Sequence, residues 1–170
     1  MLPGEIIAPT PQVPDVIAAR FRPERLLGRG GMGSVLLAHD TIWGTPVALK
    51  VASIGTPAAA AALRHEFRAF AGLDHANVAR FYDLVGDHEV CGYSMEFVDG
   101  QNLAKHVRGE LSPGHRLDAA GLLRLDSAVG QLHAGVEALH DAGLIHRDLK
   151  PENVLVDHDG RVVIVDPGIA

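Results

Sequence analysis

The octapeptide His146-Arg147-Asp148-Leu149-Lys150-Pro151-Glu152-Asn153 constrains this 170-residue chain more than any other stretch. It sets an Asp, a Lys and an Asn at offsets 0, +2 and +5 on one short loop. Those groups offer a base for a hydroxyl proton, a cation beside a moving phosphoryl group and an amide oxygen for a divalent cation, a set that suits phosphoryl transfer to a hydroxyl. An Asp and an Asn five apart carry no information alone; the whole octapeptide is specific. Directly after it, Val154-Leu155-Val156 and Val162-Val163-Ile164-Val165 flank the hairpin turn Asp157-His158-Asp159-Gly160. The residues bounding that hairpin, Asn153 and Asp166, are expected side by side, two hard oxygen ligands of the kind that suit Mg²⁺ bridging phosphates.

A second motif lies upstream. Gly28-Arg29-Gly30-Gly31-Met32-Gly33-Ser34-Val35 fits G-x-G-x-x-G-x-V. A dinucleotide-binding fingerprint demands a helix right after its glycines. Here Val35-Leu36-Leu37-Ala38 reads as a strand, so Gly28, Gly30, Gly31 and Gly33 sit at the tip of a hairpin. No Lys-Ser/Thr pair follows Gly33, which excludes a Walker loop. Lacking Cβ atoms, the glycines let backbone amides approach phosphates; a plain glycine-rich hairpin is the bland alternative for this stretch taken alone. Farther on, Val47-Ala48-Leu49-Lys50 alternates so that Ala48 and Lys50 share a face.

Thr56-Pro57 opens a helix, with a hydroxyl at the N-cap and Pro at the first helical position. The helix runs to about Ala71, where Gly72 stops it. Glu66 lies within its apolar stripe of Leu63, Phe67 and Phe70, and no cation stands three or four residues away on the same face. An isolated buried charge is costly, so Glu66 needs a partner from elsewhere in the fold. Lys50 is the candidate.

Together these motifs resemble the eukaryotic-type serine/threonine protein kinases, in their bacterial Hanks-type form. The run Asp148 to Asn153 is similar to the serine/threonine branch, Gly30-Gly31-Met32-Gly33 to bacterial members, and Val47 to Lys50 to the family's V-A-I-K strand. The likeness covers nearly everything from Phe21 onward. It implies an α+β, protein-kinase-like fold: a five-stranded antiparallel N-lobe with one main helix, then a partial, mainly helical C-lobe. It implies ATP and Mg²⁺ as cofactors and phosphorylation of Ser/Thr hydroxyls on proteins. In that scheme the glycines and Lys50, paired with Glu66, hold the phosphates. Val35, Ala48 and Leu155 enclose the adenine, Met95 is the gatekeeper, and the backbone of Glu96 and Val98 bonds the base. Asp99 or Asn102 reaches the ribose. Asp148 is the base that orients the hydroxyl, Lys150 stabilises charge on the phosphoryl, and Asn153 and Asp166 hold the metal. His146 is expected to be a packed structural residue.

The expected organisation is a flexible leader over 1–20, marked by Pro3, Pro9, Pro11 and Pro14, an N-lobe over 21–98 and a partial C-lobe over 99–170. Leu122, Leu125, Val129, Leu132, Val136 and Leu139 form a 3-4 apolar stripe on a long helix ending near Gly143. A net charge of −6 without a basic run argues against a nucleic-acid partner. The single Cys91, in a stretch that reads as strand, fits a reducing compartment and a small buried hydrophobe. With no signal peptide and no spanning segment in this chain, a cytoplasmic location is expected.

Two departures from the family stand out. Asp166-Pro167-Gly168 occupies the place of Asp-Phe-Gly, and Pro167 is expected to bias Asp166 toward extended backbone. The sequence also stops at Ala170, before any activation segment, so part of the long helix is expected to lack cover. The expectation is therefore an incomplete kinase domain of low or no activity. The alternative is a non-catalytic, pseudokinase-like nucleotide-binding or regulatory module that docks a partner on the uncovered C-lobe face.

Overall fold

Period-2 alternation between turn signals produces an antiparallel sheet in the first half of the chain. The computed structural model describes residues 16–30, 33–53, 57–86, 90–111 and 114–166. Its strands are β1 (Phe21–Gly30), β2 (Gly33–Asp40), β3 (Thr45–Ser53), β4 (Phe81–Gly86) and β5 (Val90–Glu96), with α1 (Pro57–Phe70) between β3 and β4. The spatial order is β1-β2-β3-β5-β4. Pro23 is tolerated because β1 is an edge strand, and the register slips beside it.

The two faces of the sheet bury different sets. Leu36, Ala38, Val47 and Leu49 face one side with Ile17, Phe21 and Val85. Ala48, Tyr93, Met95 and Phe81 face the other, where Leu63 and Phe70 of α1 pack. Phe81 joins the layers, its ring centroid 5.3 Å from Phe70 and 5.0 Å from Tyr93. Cys91 is buried in the same layer. The Thr56 cap expected for α1 lies outside the described residues, as do the leader's residues 1–15 and Gly31.

Residues 16–20 depart from the flexible leader expected of them. Ile17 is 1% exposed and bridges to Phe21. Arg20 reaches Asp83 at 2.8 Å and forks onto Asp40. The buried Asp40 carboxyl is held below the usual carboxylate range, chiefly by that hydrogen bond from Arg20. An apolar anchor and a two-acid clamp thus tie this segment down.

Beyond β5 the chain forms a small second sheet and helices. β6 (Gly100–Asn102), β7 (Val154–Asp157) and β8 (Val162–Ile164) pair in that order, with a 3₁₀ turn at Pro151–Asn153. α2 (Leu103–Arg108) is capped by Asn102, and α3 (Ala119–Asp141) by Asp118, which accepts from Gly121 N at 2.7 Å. The stripe read along α3 holds only in its second half. Leu122 and Val129 are 56% and 51% exposed, while Gly121, Ala128, Gly135 and Leu139 are buried. The reason is close approach: a Cβ on Gly135 would come within 2.8 Å of the Asn77 carbonyl oxygen and 2.9 Å of Ile164 Cδ1. No helix among the described residues is long and apolar enough to cross a membrane.

Hydrogen bonds and an ion pair join the two sheets. Ala79 N donates to Ile164 O and Ile164 N to Asn77 O, both at 2.9 Å. The Asn77 side chain donates to Val162 O at 2.7 Å and to Gln131 at 3.1 Å. Arg161, on the turn into β8, pairs with Glu96 at the end of β5.

Candidate active site

Between the two sheets lies a cleft of about 310 Å³. Its lining contains Gly28, Val35, Ala48, Met95, Glu96, Val98, Leu155, Asn153 and Asp166. Strand register explains the gathering. Val35 lies opposite Lys50 and Ala48 opposite Met95, so period-2 alternation turns Val35, Ala48 and Met95 toward one space. Leu155 on β7 rises from the second sheet.

Other expected site residues stand elsewhere. Gly30 and Gly33 pair at the end of the β1–β2 ribbon, outside the cleft lining. Gly33 has φ +144, and a Cβ there would overlap the Val51 carbonyl oxygen, so glycine is required by the backbone. Asn102 is a correction. Its Oδ1 accepts from Lys105 N at 2.9 Å as the cap of α2, and it does not line the cleft. A short polar side chain in extended backbone just before a helix is taken by the orphan amides. Asp99, two residues after Phe97, lines the cleft instead.

Lys50 enters from β3, 7% exposed. Its Nζ donates to Glu66 Oε1 at 2.8 Å and also pairs with Asp166. Burial alone would lower the Lys50 pKa, but the charges of Glu66 and Asp166 together outweigh it and raise it. Glu66 is 1% exposed and accepts a further hydrogen bond, from the Tyr93 hydroxyl at 2.6 Å. Tyr93 was not legible as a site residue. Its only sequence signal is a phenol among small and apolar residues; its place opposite Lys50 comes from the strand register.

The octapeptide loop is held from within. Lys150 Nζ donates to Asp148 Oδ2 at 2.6 Å. Asn153 Nδ2 donates to Asp148 O at 2.8 Å and to its Oδ2 at 3.1 Å. The Lys150 hydrogen bond is the main reason the Asp148 carboxyl titrates below its usual range. His146 is buried, with Nε2 3.1 Å from Val165 O.

The hairpin register needs a correction by one residue. Val154 pairs with Ile164 and Val165 N donates to Asn153 O at 2.9 Å, so Asn153 faces Val165, and Asp166 follows. Asp166 has φ +51, in the left-handed region rather than the extended one expected before Pro167. Asp is among the residues that tolerate this region, and in it the Asp166 carboxylate pairs with Lys50. Pro167 and Gly168 lie outside the described residues.

The donor set fits Mg²⁺. Among the described residues no group of three or more His, Cys, Asp and Glu is placed to hold a metal by itself. The Asp166 carboxylate and the Asn153 amide oxygen, both in the cleft lining, suit a hard cation that takes its remaining ligands from phosphates and water. Asn153 spends its NH₂ group on Asp148, so the atom it could offer a cation is its carbonyl oxygen.

Comparison with known proteins agrees in kind. The protein kinase domain model matches residues 21–170. The chain is 31% identical over 157 residues to the serine/threonine-protein kinase PrkC of Bacillus subtilis, covering 91% of this chain and 23% of that protein. It is 38% identical over 164 residues to pkn2 of Myxococcus xanthus, covering 91% and 18%. With PknA of Mycobacterium tuberculosis the identity is 34% over 171 residues, covering 95% and 38%. The chain therefore spans well under half the length of these curated relatives.

Proposed function

Because this chain belongs to the protein kinase family, we propose that it carries the nucleotide and phosphoryl-transfer site of a kinase that moves the γ-phosphoryl of ATP to Ser/Thr hydroxyls of proteins. The observation that carries this reading is the position of Asn153. It lines the same cleft as Ala48 and Asp166, and it bonds Asp148 directly. One residue thus joins the nucleotide side to the proton-accepting side.

In this reading adenine lies between Val35 and Ala48 above and Leu155 below, with Met95 behind it and the backbone of Glu96 and Val98 as its polar edge. Lys50, fixed by Glu66, meets the α/β-phosphates, and the glycine ribbon from Gly28 to Gly33 covers them. Asn153 and Asp166 hold Mg²⁺, which neutralises phosphate charge when bound. Asp148, kept ionised by Lys150, accepts the proton of the acceptor hydroxyl. The hydroxyl oxygen then bonds to the γ-phosphorus as the bond to ADP breaks, and Lys150 offsets the charge on the moving group. The N-lobe is assigned to 21–98 and the partial C-lobe to 99–170, working in the cytoplasm, where ATP is plentiful.

The test is transfer of labelled γ-phosphate from Mg·ATP to a Ser/Thr-rich acceptor such as casein. Asp148→Asn should lower the rate by roughly 10²- to 10⁴-fold, the usual worth of a positioned base. Unchanged transfer in that variant would remove Asp148 from the mechanism. Binding of Mg·ATP without any transfer by the wild-type chain would favour the alternative, a non-catalytic nucleotide-binding module.

A further inference from the structure

Tyr93 stands in β5, two residues before Met95, with Lys50 as its partner across the sheet. It is fully buried, where a phenol needs a partner for its hydroxyl. That partner is Glu66 Oε1, at 2.6 Å, the same oxygen that accepts from Lys50 at 2.8 Å. Glu66 Oε2 is buried with no hydrogen-bond partner among the described residues. The carboxylate is therefore held through one oxygen by two donors, and neither comes from its own helix.

The two donors are not equivalent. Lys50 is shared with Asp166, a competing acid on another segment, so it does not by itself fix where Glu66 sits. The Tyr93 hydroxyl is carried by a ring packed 5.0 Å from Phe81 and 6.1 Å from Phe67, centroid to centroid. Burial, and then the charge of Glu66, raise the Tyr93 pKa above that of an ordinary phenol, so the hydroxyl remains a donor. A rigid neutral donor on β5 and a shared cation on β3 together define one place for the Glu66 carboxylate.

We propose that Tyr93 is a positioning residue that holds Glu66 of α1 against Lys50, so that the ion pair stays assembled without nucleotide. The inference rests on the reading of Lys50 as the phosphate-binding cation. It acts through Glu66 and assigns Tyr93 no contact with ATP.

The test uses Tyr93→Phe in the full chain, which removes the hydroxyl and keeps the ring. The readout is the rate at which Lys50 is acylated by a small amine reagent at one neutral pH, without nucleotide, followed by mass spectrometry. Loss of one hydrogen bond to a charged group should speed labelling by roughly tenfold or more. Glu66→Gln should speed it as well, and adding Tyr93→Phe to that variant should change nothing more, because both act on one bond. Phe67→Leu loosens the packing of the Tyr93 ring but keeps its hydroxyl, and should speed labelling less than Tyr93→Phe does. A wild-type rate in Tyr93→Phe would overturn the proposal, and so would an equal acceleration in Phe67→Leu. Mg·ATP binding is measured on the same proteins together with Lys50→Ala. Undiminished binding in Lys50→Ala would sink the assigned function while leaving the labelling result to decide the role of Tyr93.

Discussion

Arg20 and Asp40 show how one residue pair fixes a segment that composition alone would leave loose. Asp40 is 1% exposed, and Arg20 reaches it through two guanidinium nitrogens while also holding Asp83. Its carboxyl further accepts from the Ile42 amide at 2.9 Å, so the turn between β2 and β3 hangs on the same group. With its pKa lowered in the folded state, Asp40 contributes stability that is fully present above the unfolded value of about 4 and is lost as pH falls through the folded value. Urea denaturation across acid pH should show this directly. Wild type should lose stability below about pH 4, whereas Asp40→Asn should start lower at neutral pH and fall less steeply on acidification. Parallel acid limbs in the two proteins would mean that the Arg20 clamp is not what lowers the Asp40 pKa.

At the scale of the element, α3 separates apolarity from burial. Gly130 and Gly135 both lie inside this helix, where glycine costs backbone entropy. A Cβ on Gly130 meets nothing within 4 Å, while one on Gly135 runs into the Asn77 carbonyl and Ile164. Gly130→Ala should therefore stabilise by about 0.5–1 kcal/mol, and Gly135→Ala should destabilise by about 1–3 kcal/mol through overpacking. Chemical denaturation of the two variants checks the sign of each, and stabilisation by both would mean that α3 is free to move off β8. The same helix shows what a sequence can reveal. The five strands of the first sheet, β7, β8, α1 and the Lys50–Glu66 pairing were legible because period-2 and period-3.6 patterns depend on local geometry. The buried face of α3 was not, because small residues at seven-residue intervals carry the contact and the leucines at Leu122 and Leu123 point outward. Asn102 was misread for a related reason: its capping role depends on where α2 begins. The tie of residues 16–20 to β2 and β4, like the left-handed Asp166, depends on partners distant in sequence, which no local pattern encodes.

The molecule as a whole is two sheets closing on one cleft, and the ties between them decide how it responds to a ligand. Asn77 bonds β8 and α3 together, Ala79 N donates to Ile164 O and Ile164 N to Asn77 O across the junction, and Arg161 reaches back to Glu96. The cleft lining draws on both sides, from Val35 and Ala48 to Asn153 and Leu155. A ligand that needs both walls binds only the assembled state, so its binding energy stabilises the two sheets as one unit. Mg·ATP at about 100 times its dissociation constant should add roughly 2.7 kcal/mol, a rise of about 5–10 °C in melting temperature for a chain of this size. Lys50→Ala, which removes the cation proposed to meet the phosphates, should abolish the rise. Calorimetry should record one transition with and without ligand, because each junction bond has one partner on either side and is lost when either side unfolds. If instead Mg·ATP moved only part of a split transition, the ties through Asn77 and Arg161 would be too weak to couple the sheets, and the cleft would be a property of one wall.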